Sequence, residues 1–136
     1  MLVVGFSFAA ETCQESSPLM HNPAELLSLC SFAFLKDRSD SLRRTLASLA
    51  RLDVPESVDV VVILVDNNST DTTAAVMRDS GLPFAREIVF EAVPGLSNAR
   101  NSGVACARRF GASYTIFTDD DVEVGPRWLV EYATSF

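Results

Sequence analysis

The run VDVVVILV at Val58–Val65 consists almost entirely of β-branched and other apolar residues. A continuous run of this kind is typical of a strand that is covered on both faces, as the strands of parallel sheets are. Parallel strands need long crossover connections between them, and these are usually helices. The run therefore predicts an α/β fold in which a mostly parallel sheet carries helices on both faces.

Strand and helix patterns alternate around this run. Helices are predicted where apolar residues recur at helical spacing, and strands where short apolar runs are bounded by turn residues. The predicted elements are a strand at Leu29–Leu35, a helix capped by Ser39 or Asp40, the strand Val58–Val65, a helix at Thr70–Ser80, a weaker strand at Arg86–Glu91, a helix at Ser97–Phe110 capped by Ser97, a strand at Tyr114–Thr118 and a helix starting at Pro126. Residues 1–27 are predicted to be an irregular N-terminal extension before one domain at 28–136.

Composition excludes several functions. A formal charge of −7 argues against a nucleic-acid-binding surface, which needs a basic stripe. No apolar run approaches the ~20 residues of a membrane span. The three cysteines lack C-x-x-C spacing, so neither a zinc site nor a disulfide framework is indicated. A reducing, cytoplasmic setting is predicted, either free or peripheral at the inner face of the membrane.

Three polar clusters fall where predicted strands end or helices begin, and ligands bind at the carboxyl ends of the strands in sheets of this kind. The first is DNNSTD, Asp66–Asp71. Asn, Ser and Asp are common in turns and helix caps, so a turn is one reading. The other is that Asp66 and Asn67 bind the base or ribose of a nucleotide, near the positive end of a helix.

The second cluster is PGLSNARNSG, Pro94–Gly103. Arg100 is predicted to lie in the first helical turn, where the helix dipole disfavours a positive charge. This local conflict favours a function for Arg100, such as pairing with a phosphate or with the nearby aspartates. A solvated arginine is the alternative.

The third cluster is Asp119–Asp121. Alternate residues of an extended segment point the same way, so Asp119 and Asp121 share a face and Asp120 points elsewhere. Mg²⁺ and Mn²⁺ prefer oxygen ligands, commonly one or two carboxylates together with phosphate oxygens and water. The cluster therefore predicts a metal–diphosphate site, with an acidic surface loop as the alternative. The spacing of Gly125 and Val130 excludes an EF-hand loop, which needs glycine at position six and glutamate at position twelve.

Two further sites are excluded by their motifs. A haloacid-dehalogenase-type phosphatase needs Asp-x-Asp-x-Thr after its first strand, whereas Glu123 stands where the threonine belongs, late in the chain. A dinucleotide-binding fold needs Gly-x-Gly-x-x-Gly after the first strand, and Leu35–Arg38 contains no glycine.

Taken together and in this order, the clusters resemble the nucleotide-sugar-binding half of the family 2 glycosyltransferases, which have the GT-A fold. The resemblance covers Leu29 to Phe136. The matching segments are the Ser-Leu-x-x-x-Leu helix at Ser41–Leu46, Val-Asp-Asn-x-Ser-x-Asp at Val65–Asp71, Gly-x-x-x-Ala-Arg-Asn-x-Gly at Gly95–Gly103, and the Asp-x-Asp motif at Asp119–Asp121 followed by Pro126 and Leu129.

The resemblance implies a metal-dependent, inverting transfer of sugar from a nucleotide-diphosphate donor to an acceptor hydroxyl on a glycan, lipid carrier or protein. It implies that Asp66, Asn67, Arg100, Asp119 and Asp120 serve the nucleotide, and that Asp121 and Asp119 bind Mg²⁺ or Mn²⁺. Arg100 would also hold the loop and carboxylates in position.

The segment Phe34–Arg38 departs from the family pattern, in which the first strand ends in Thr-Tyr-Asn or similar. The catalytic base is expected beyond Phe136, so the chain is expected to hold only the donor-binding half. A nucleotidyltransferase and an inactive nucleotide-binding module are the alternatives, although the Gly-rich basic loop of nucleotidyltransferases is not found near the first strand.

Overall fold

The structure, a computed structural model, describes residues 38–134 together with the strand backbones at 6–7 and 25–33. Strands and helices alternate along these ranges. In chain order they are β1 (Phe6–Ser7), β2 (Glu25–Ala33), α1 (Ser39–Leu49), β3 (Val58–Asp66), α2 (Thr73–Arg78), β4 (Ala85–Phe90), α3 (Leu96–Arg109), β5 (Tyr114–Asp119) and α4 (Trp128–Ala133).

The strands form one sheet with the order β1-β5-β2-β3-β4. Strand β2 pairs in parallel with both β3 and β5, and β3 pairs in parallel with β4. Only β1 runs antiparallel, against β5, among the strands that the structure describes. The prediction of a mostly parallel sheet is confirmed, and the long apolar run forms β3 near its centre.

Helices cover both faces of the sheet, as predicted, and β3 supplies side chains to both. Val60, Val62 and Leu64 pack on one face, and Ile63 and Val65 pack on the other. The first face is covered by Leu42, Leu46 and Leu49 of α1, Val76 and Met77 of α2 and Leu129 of α4, and the second by Ala99, Cys106 and Ala107 of α3. Burying each leucine or isoleucine stabilises the fold by about 1.5–3 kcal/mol, so these two layers fix the helices against the sheet.

Helices α1 and α3 begin without the predicted caps. Arg38 precedes α1 and Gly95 precedes α3, and among the described residues no side-chain hydrogen bond caps either helix. Ser39 and Ser97 lie inside the first turns instead. At Gly95 the backbone has φ of 129°, a conformation that glycine adopts without strain, so the cap position lies two residues before the predicted cap Ser97.

Helix α2 begins at Thr73, three residues later than predicted, after a loop in which aspartate side chains accept backbone N–H groups. The Ser69 N–H donates to Asp66 Oδ1 at 2.9 Å, and the Thr73 N–H donates to Asp71 Oδ1 at 2.9 Å. Asn68 has φ of 62°, which is incompatible with a right-handed helix. Residues 67–72 are therefore a loop.

The remaining differences concern the chain ends. Strand β2 begins at Glu25 and Phe6–Ser7 pair with β5, so parts of the segment predicted to be irregular belong to the sheet. A two-residue strand is too short to produce a periodic pattern. The predicted end of the first strand, residues 34 and 35, lies outside the described residues. Pro126 lies in a turn, in which the Trp128 N–H donates to the Gly125 carbonyl at 3.1 Å, and α4 starts after it.

Candidate functional site

The carboxyl ends of β3 and β5 flank that of β2 at one edge of the sheet. Asp66, the last residue of β3, is opposite Ala33, and Asp119, the last residue of β5, is opposite Phe32. Neighbouring strands lie ~4.8 Å apart, so the main chains at Asp66 and Asp119 are separated by about 10 Å, with β2 between them. The fold thus brings the first and third polar clusters to one edge.

The side chain of Asn67, buried just beyond this edge, holds the 91–95 loop (residues 91–95), which connects β4 to α3. Its Nδ2 donates to the Glu91 carbonyl at 3.0 Å and to the Val93 carbonyl at 2.8 Å. Its Oδ1 accepts the Gly95 N–H at 2.9 Å. An amide has two N–H donors and two acceptor positions, so three of its four are engaged. The predicted contact between Asn67 and a nucleotide stays a prediction, and the geometry favours a positioning role.

Glu91 fastens the same loop from its own end. Its main-chain N–H donates to the Asp66 carbonyl at 2.9 Å, and its Oε1 accepts the Val93 N–H at 2.8 Å. The Ser102 hydroxyl of α3 donates to its Oε2. The hydrogen bond from Ser102, and then that from Val93, lowers the pKa of the Glu91 carboxyl below its usual value, because both favour the charged form. The end of β3, the loop and α3 are therefore joined by hydrogen bonds.

The acidic turn, Asp119–Asp121, exposes its first and third residues and buries its second. Asp120 is 4% exposed, whereas Asp119 and Asp121 are exposed. Because β5 ends at Asp119 and the next two residues lie in a turn, the prediction that Asp119 and Asp121 share the face of an extended segment stays a prediction. The role assigned to Asp120 at the nucleotide stays a prediction, and its burial favours a role in shaping the turn.

Arg38 pairs with this turn, a contact that the sequence patterns did not reveal. Its Nη1 donates to Asp121 Oδ2 at 3.0 Å and lies 3.6 Å from Asp120 Oδ1. The two partners are more than 80 positions along the chain from Arg38. Only the packing of α1 beside β5 brings them together, so no local pattern predicts the pair.

Two polar residues of α1 anchor the main chain of the turn and of the residues after it. The buried Thr45 hydroxyl donates to the Asp120 carbonyl at 3.0 Å. The Ser48 hydroxyl accepts the Val124 N–H at 3.1 Å and donates to the Thr45 carbonyl at 2.7 Å. Both residues interrupt the apolar face of α1, and a polar residue on an apolar face was the one signal that sequence reasoning left unused.

Arg100 does not pair with the site carboxylates, which corrects one of its predicted partners. In the described part of the chain it forms no ion pair, and its buried Nε has no hydrogen-bond partner. Its guanidinium carbon lies 6.0 Å from the centre of the Phe117 ring. The reason is that α3 packs on the face of the sheet to which β5 contributes Phe117, so the arginine lies over the ring.

The exposed carboxylates suit a cation that is shared with a phosphate ligand. Among residues 6–7, 25–33 and 38–134, no three His, Cys, Asp or Glu side chains are grouped to hold a metal ion by themselves. Mg²⁺ and Mn²⁺ do not need such a cage, because they are commonly held by one or two carboxylates, phosphate oxygens and water. Asp119 and Asp121 fit this kind of site. In the part of the chain that the structure describes, no helix is long and apolar enough to span a bilayer.

Comparison with solved structures shows the same fold in several glycosyltransferases. A crystal structure of S. aureus TarS 1-349 matches with a TM-score of 0.68 and 21% identity, over 79% of this chain and 31% of that one. The same TarS fragment in complex with UDP-GlcNAc matches with a TM-score of 0.67 and 22% identity, over 79% of this chain and 30% of that one. A third match is glucosyl-3-phosphoglycerate synthase from Mycobacterium tuberculosis, solved in complex with Mn²⁺, UDP and glucosyl-3-phosphoglycerate. It has a TM-score of 0.61 and 24% identity, over 80% of this chain and 39% of that one.

These likenesses identify the GT-A fold, and this chain spans about a third of the length of the proteins it matches. No match was found among curated protein sequences. The family model described as Glycosyl transferase family 2 matches residues 34–134, which is most of the chain. The matched range contains all three polar clusters and the arginine that pairs with the acidic turn. The chain therefore belongs to glycosyl transferase family 2.

Proposed function

We propose that these residues form the donor-binding part of a metal-dependent, inverting glycosyltransferase that uses a nucleotide-diphosphate sugar. The observation that carries the proposal is the edge at which β2, β3 and β5 end, with Asp66 on one side and the acidic turn on the other. The separation of about 10 Å across β2 suits a ligand with a base or ribose at one end and a phosphate at the other. The family match favours transfer of a glycosyl group over a nucleotidyl group.

Each residue at this edge has a role in the proposal. Asp66 binds the base or ribose, Asp119 lies near the ribose and the cation, and Asp121 is the main carboxylate ligand of Mg²⁺ or Mn²⁺. Arg100 provides positive charge toward the diphosphate. A cation at Asp121 would stabilise the negative charge that develops on the nucleoside diphosphate as the sugar leaves.

Two residues act indirectly in this account. Asn67 holds the 91–95 loop through three hydrogen bonds, and Asp120 shapes the acidic turn. The acceptor is a hydroxyl of a glycan, a lipid carrier or a protein, and no described residue is assigned as the base that deprotonates it.

Three structural relatives support the choice of ligands. The TarS fragment was solved with UDP-GlcNAc, the mannosyltransferase PcManGT from Pyrobaculum calidifontis with GDP-Man and Mn²⁺, and glucosyl-3-phosphoglycerate synthase with UDP and Mn²⁺. PcManGT matches with a TM-score of 0.56 and 22% identity. A nucleoside diphosphate together with Mn²⁺ is therefore the natural first probe.

The proposal predicts that the chain binds UDP or GDP, and that binding depends on the cation. In calorimetric titrations we expect affinity to fall at least about tenfold when EDTA replaces Mn²⁺, because the cation neutralises charge on both the diphosphate and the carboxylates. UMP, which lacks the second phosphate, is the control and should show a smaller dependence. The proposal would be contradicted if UDP and GDP each bound equally well with and without Mn²⁺, or if neither nucleotide bound.

Release of diphosphate from nucleotide sugars in the presence of acceptors then separates a transferase from an inactive binding module. The binding test does not depend on that outcome. An active and an inactive member of the fold would both show the cation-dependent binding.

A further inference from the structure

We propose that Arg38 is a positioning residue that exchanges partners during donor binding. In the nucleotide-free protein it neutralises Asp121, and when a divalent cation is bound at Asp121 the guanidinium turns to the diphosphate. This inference rests on the proposed function, because it concerns the same acidic turn. It assigns a role to a residue outside the three sequence clusters.

The two ion pairs of Arg38 differ in how firmly they are held. Asp120 has a side chain that is 5% exposed, so its partner is costly to remove. Asp121 is 52% exposed and Arg38 is 39% exposed, so their pair is open to solvent. Exposed ion pairs contribute little, and the Arg38–Asp121 pair can therefore open at small cost while Arg38 stays near Asp120.

The guanidinium is suited to such an exchange. It carries five N–H donors in a planar fork, and a diphosphate accepts several of them. Arg38 also immediately precedes α1, whose first turn carries partial positive charge, so an anion close to Arg38 is favoured. Once Asp121 is engaged by a cation, the freed donors lie beside the place where the proposal puts the phosphates.

The acidic turn does not need Arg38 to keep its shape. Thr45 and Ser48 of α1 bind its main chain and that of the following residues at 3.0 and 3.1 Å. The Pro126 carbonyl accepts the Asp53 N–H at 2.8 Å, which joins the segment after the acidic turn to the loop between α1 and β3. Loss of the Arg38 side chain should therefore leave the main chain of the turn in place, although it lowers stability by removing a charge partner of the buried Asp120.

A purely structural role for Arg38 gives the opposite result for the cation. If Arg38 only held the carboxylates in place, its removal would loosen them and weaken cation binding. If Arg38 competes with the cation, its removal strengthens cation binding and weakens nucleotide binding. An exchange is therefore recognised by a rise in cation affinity together with a fall in nucleotide affinity.

Arg44 offers a matched control. It lies on α1, carries the same charge, and pairs with Glu123 at 3.6 Å beside the same turn, with both side chains well exposed. Among the described residues it forms no ion pair or hydrogen bond with Asp121. A general effect of removing one positive charge would appear equally in Arg44→Gln, whereas an exchange is specific to Arg38→Gln.

The test measures two affinities. The affinity for Mn²⁺ alone is measured by electron paramagnetic resonance of the free ion, and the affinity for UDP at saturating Mn²⁺ is measured by calorimetry. In Arg38→Gln we expect Mn²⁺ affinity to rise about two- to fivefold, the value of an exposed ion pair. We expect UDP affinity to fall about tenfold or more, because a charge-assisted contact is lost. In Arg44→Gln both affinities should stay within about twofold of those of the unmodified chain.

Arg38→Lys keeps the charge without the fork, so it should leave Mn²⁺ affinity near that of the unmodified chain and weaken UDP binding to a smaller extent. Reduced Mn²⁺ affinity in Arg38→Gln, unchanged UDP affinity, or equal changes in the Arg44 variant would overturn the exchange. Absence of Mn²⁺-dependent UDP binding in the unmodified chain would instead overturn the proposed function, and the exchange with it. Melting curves of all variants verify that each is folded.

Discussion

Asp121→Asn is expected to remove most of the gain in UDP affinity that Mn²⁺ provides. The change replaces a charged carboxylate by a neutral amide at the exposed end of the acidic turn, where the hard cation is proposed to bind. Replacing residues around a metal ligand typically costs about 10–100-fold in metal affinity, and replacing the ligand itself should cost at least as much. Calorimetry with UDP at fixed Mn²⁺ measures the loss.

The same substitution should leave the fold intact. The Arg38–Asp121 pair is solvent-exposed, so we expect the free energy of unfolding to change by no more than about 1 kcal/mol. Glu123→Gln is the matched control. It removes the same negative charge two positions after Asp121, and Glu123 is also exposed and paired with an arginine, Arg44. If both variants lose UDP affinity equally, the effect is general electrostatics and Asp121 is not the ligand.

Arg100→Ala is expected to weaken UDP binding by about tenfold or more, the range for loss of a hydrogen bond to a charged group. Arg100 has a buried Nε without a hydrogen-bond partner in the described part of the chain, and it lies over Phe117 of β5. The residue as a whole is half-buried, and a buried N–H donor without a partner is unfavourable unless a ligand engages it. This argues for a role at the diphosphate more strongly than the sequence position alone.

Arg108→Ala and Arg109→Ala are the controls for this prediction. Both residues lie in the last turn of α3, where a positive charge suits the helix dipole, and far along the helix from the site edge. We expect UDP affinity within about twofold of the unmodified chain in both. Equal affinities in all three variants would return Arg100 to a role in packing against Phe117.

The architecture of the sheet was predictable because it depends on local patterns. The apolar run that became β3 requires cover on both faces, and each face received helices as predicted. Helix starts were less predictable. Ser39 and Ser97 resemble caps in sequence, yet the backbone turned earlier, at Arg38 and Gly95. Several residues suit a helix start almost equally well, and the packing of the helix on the sheet decides among them.

The sequence predicted which residues of the candidate site lie at the ends of strands, but it did not predict the contacts between distant segments. Exposure of Asp119 and Asp121 around the buried Asp120 does not follow from strand alternation alone, because β5 ends at Asp119 and the next two residues lie in a turn. The ion pairs of Arg38 and the hydrogen bond from Thr45 join segments more than 70 positions apart, and they depend on which helix packs beside β5. The predicted aspartate partner of Arg100 was wrong for the same reason, because Phe117 lies under the guanidinium once α3 is docked.

The most direct test of the donor site is to locate Mn²⁺ by anomalous scattering in crystals grown with MnCl₂ and UDP. The account predicts one strong peak beside the carboxylates of Asp121 and Asp119, in contact with the diphosphate. It also predicts that the uridine extends across the end of β2 toward Asp66. A Mn²⁺ peak away from the acidic turn, or UDP bound away from the edge where β2, β3 and β5 end, would contradict it.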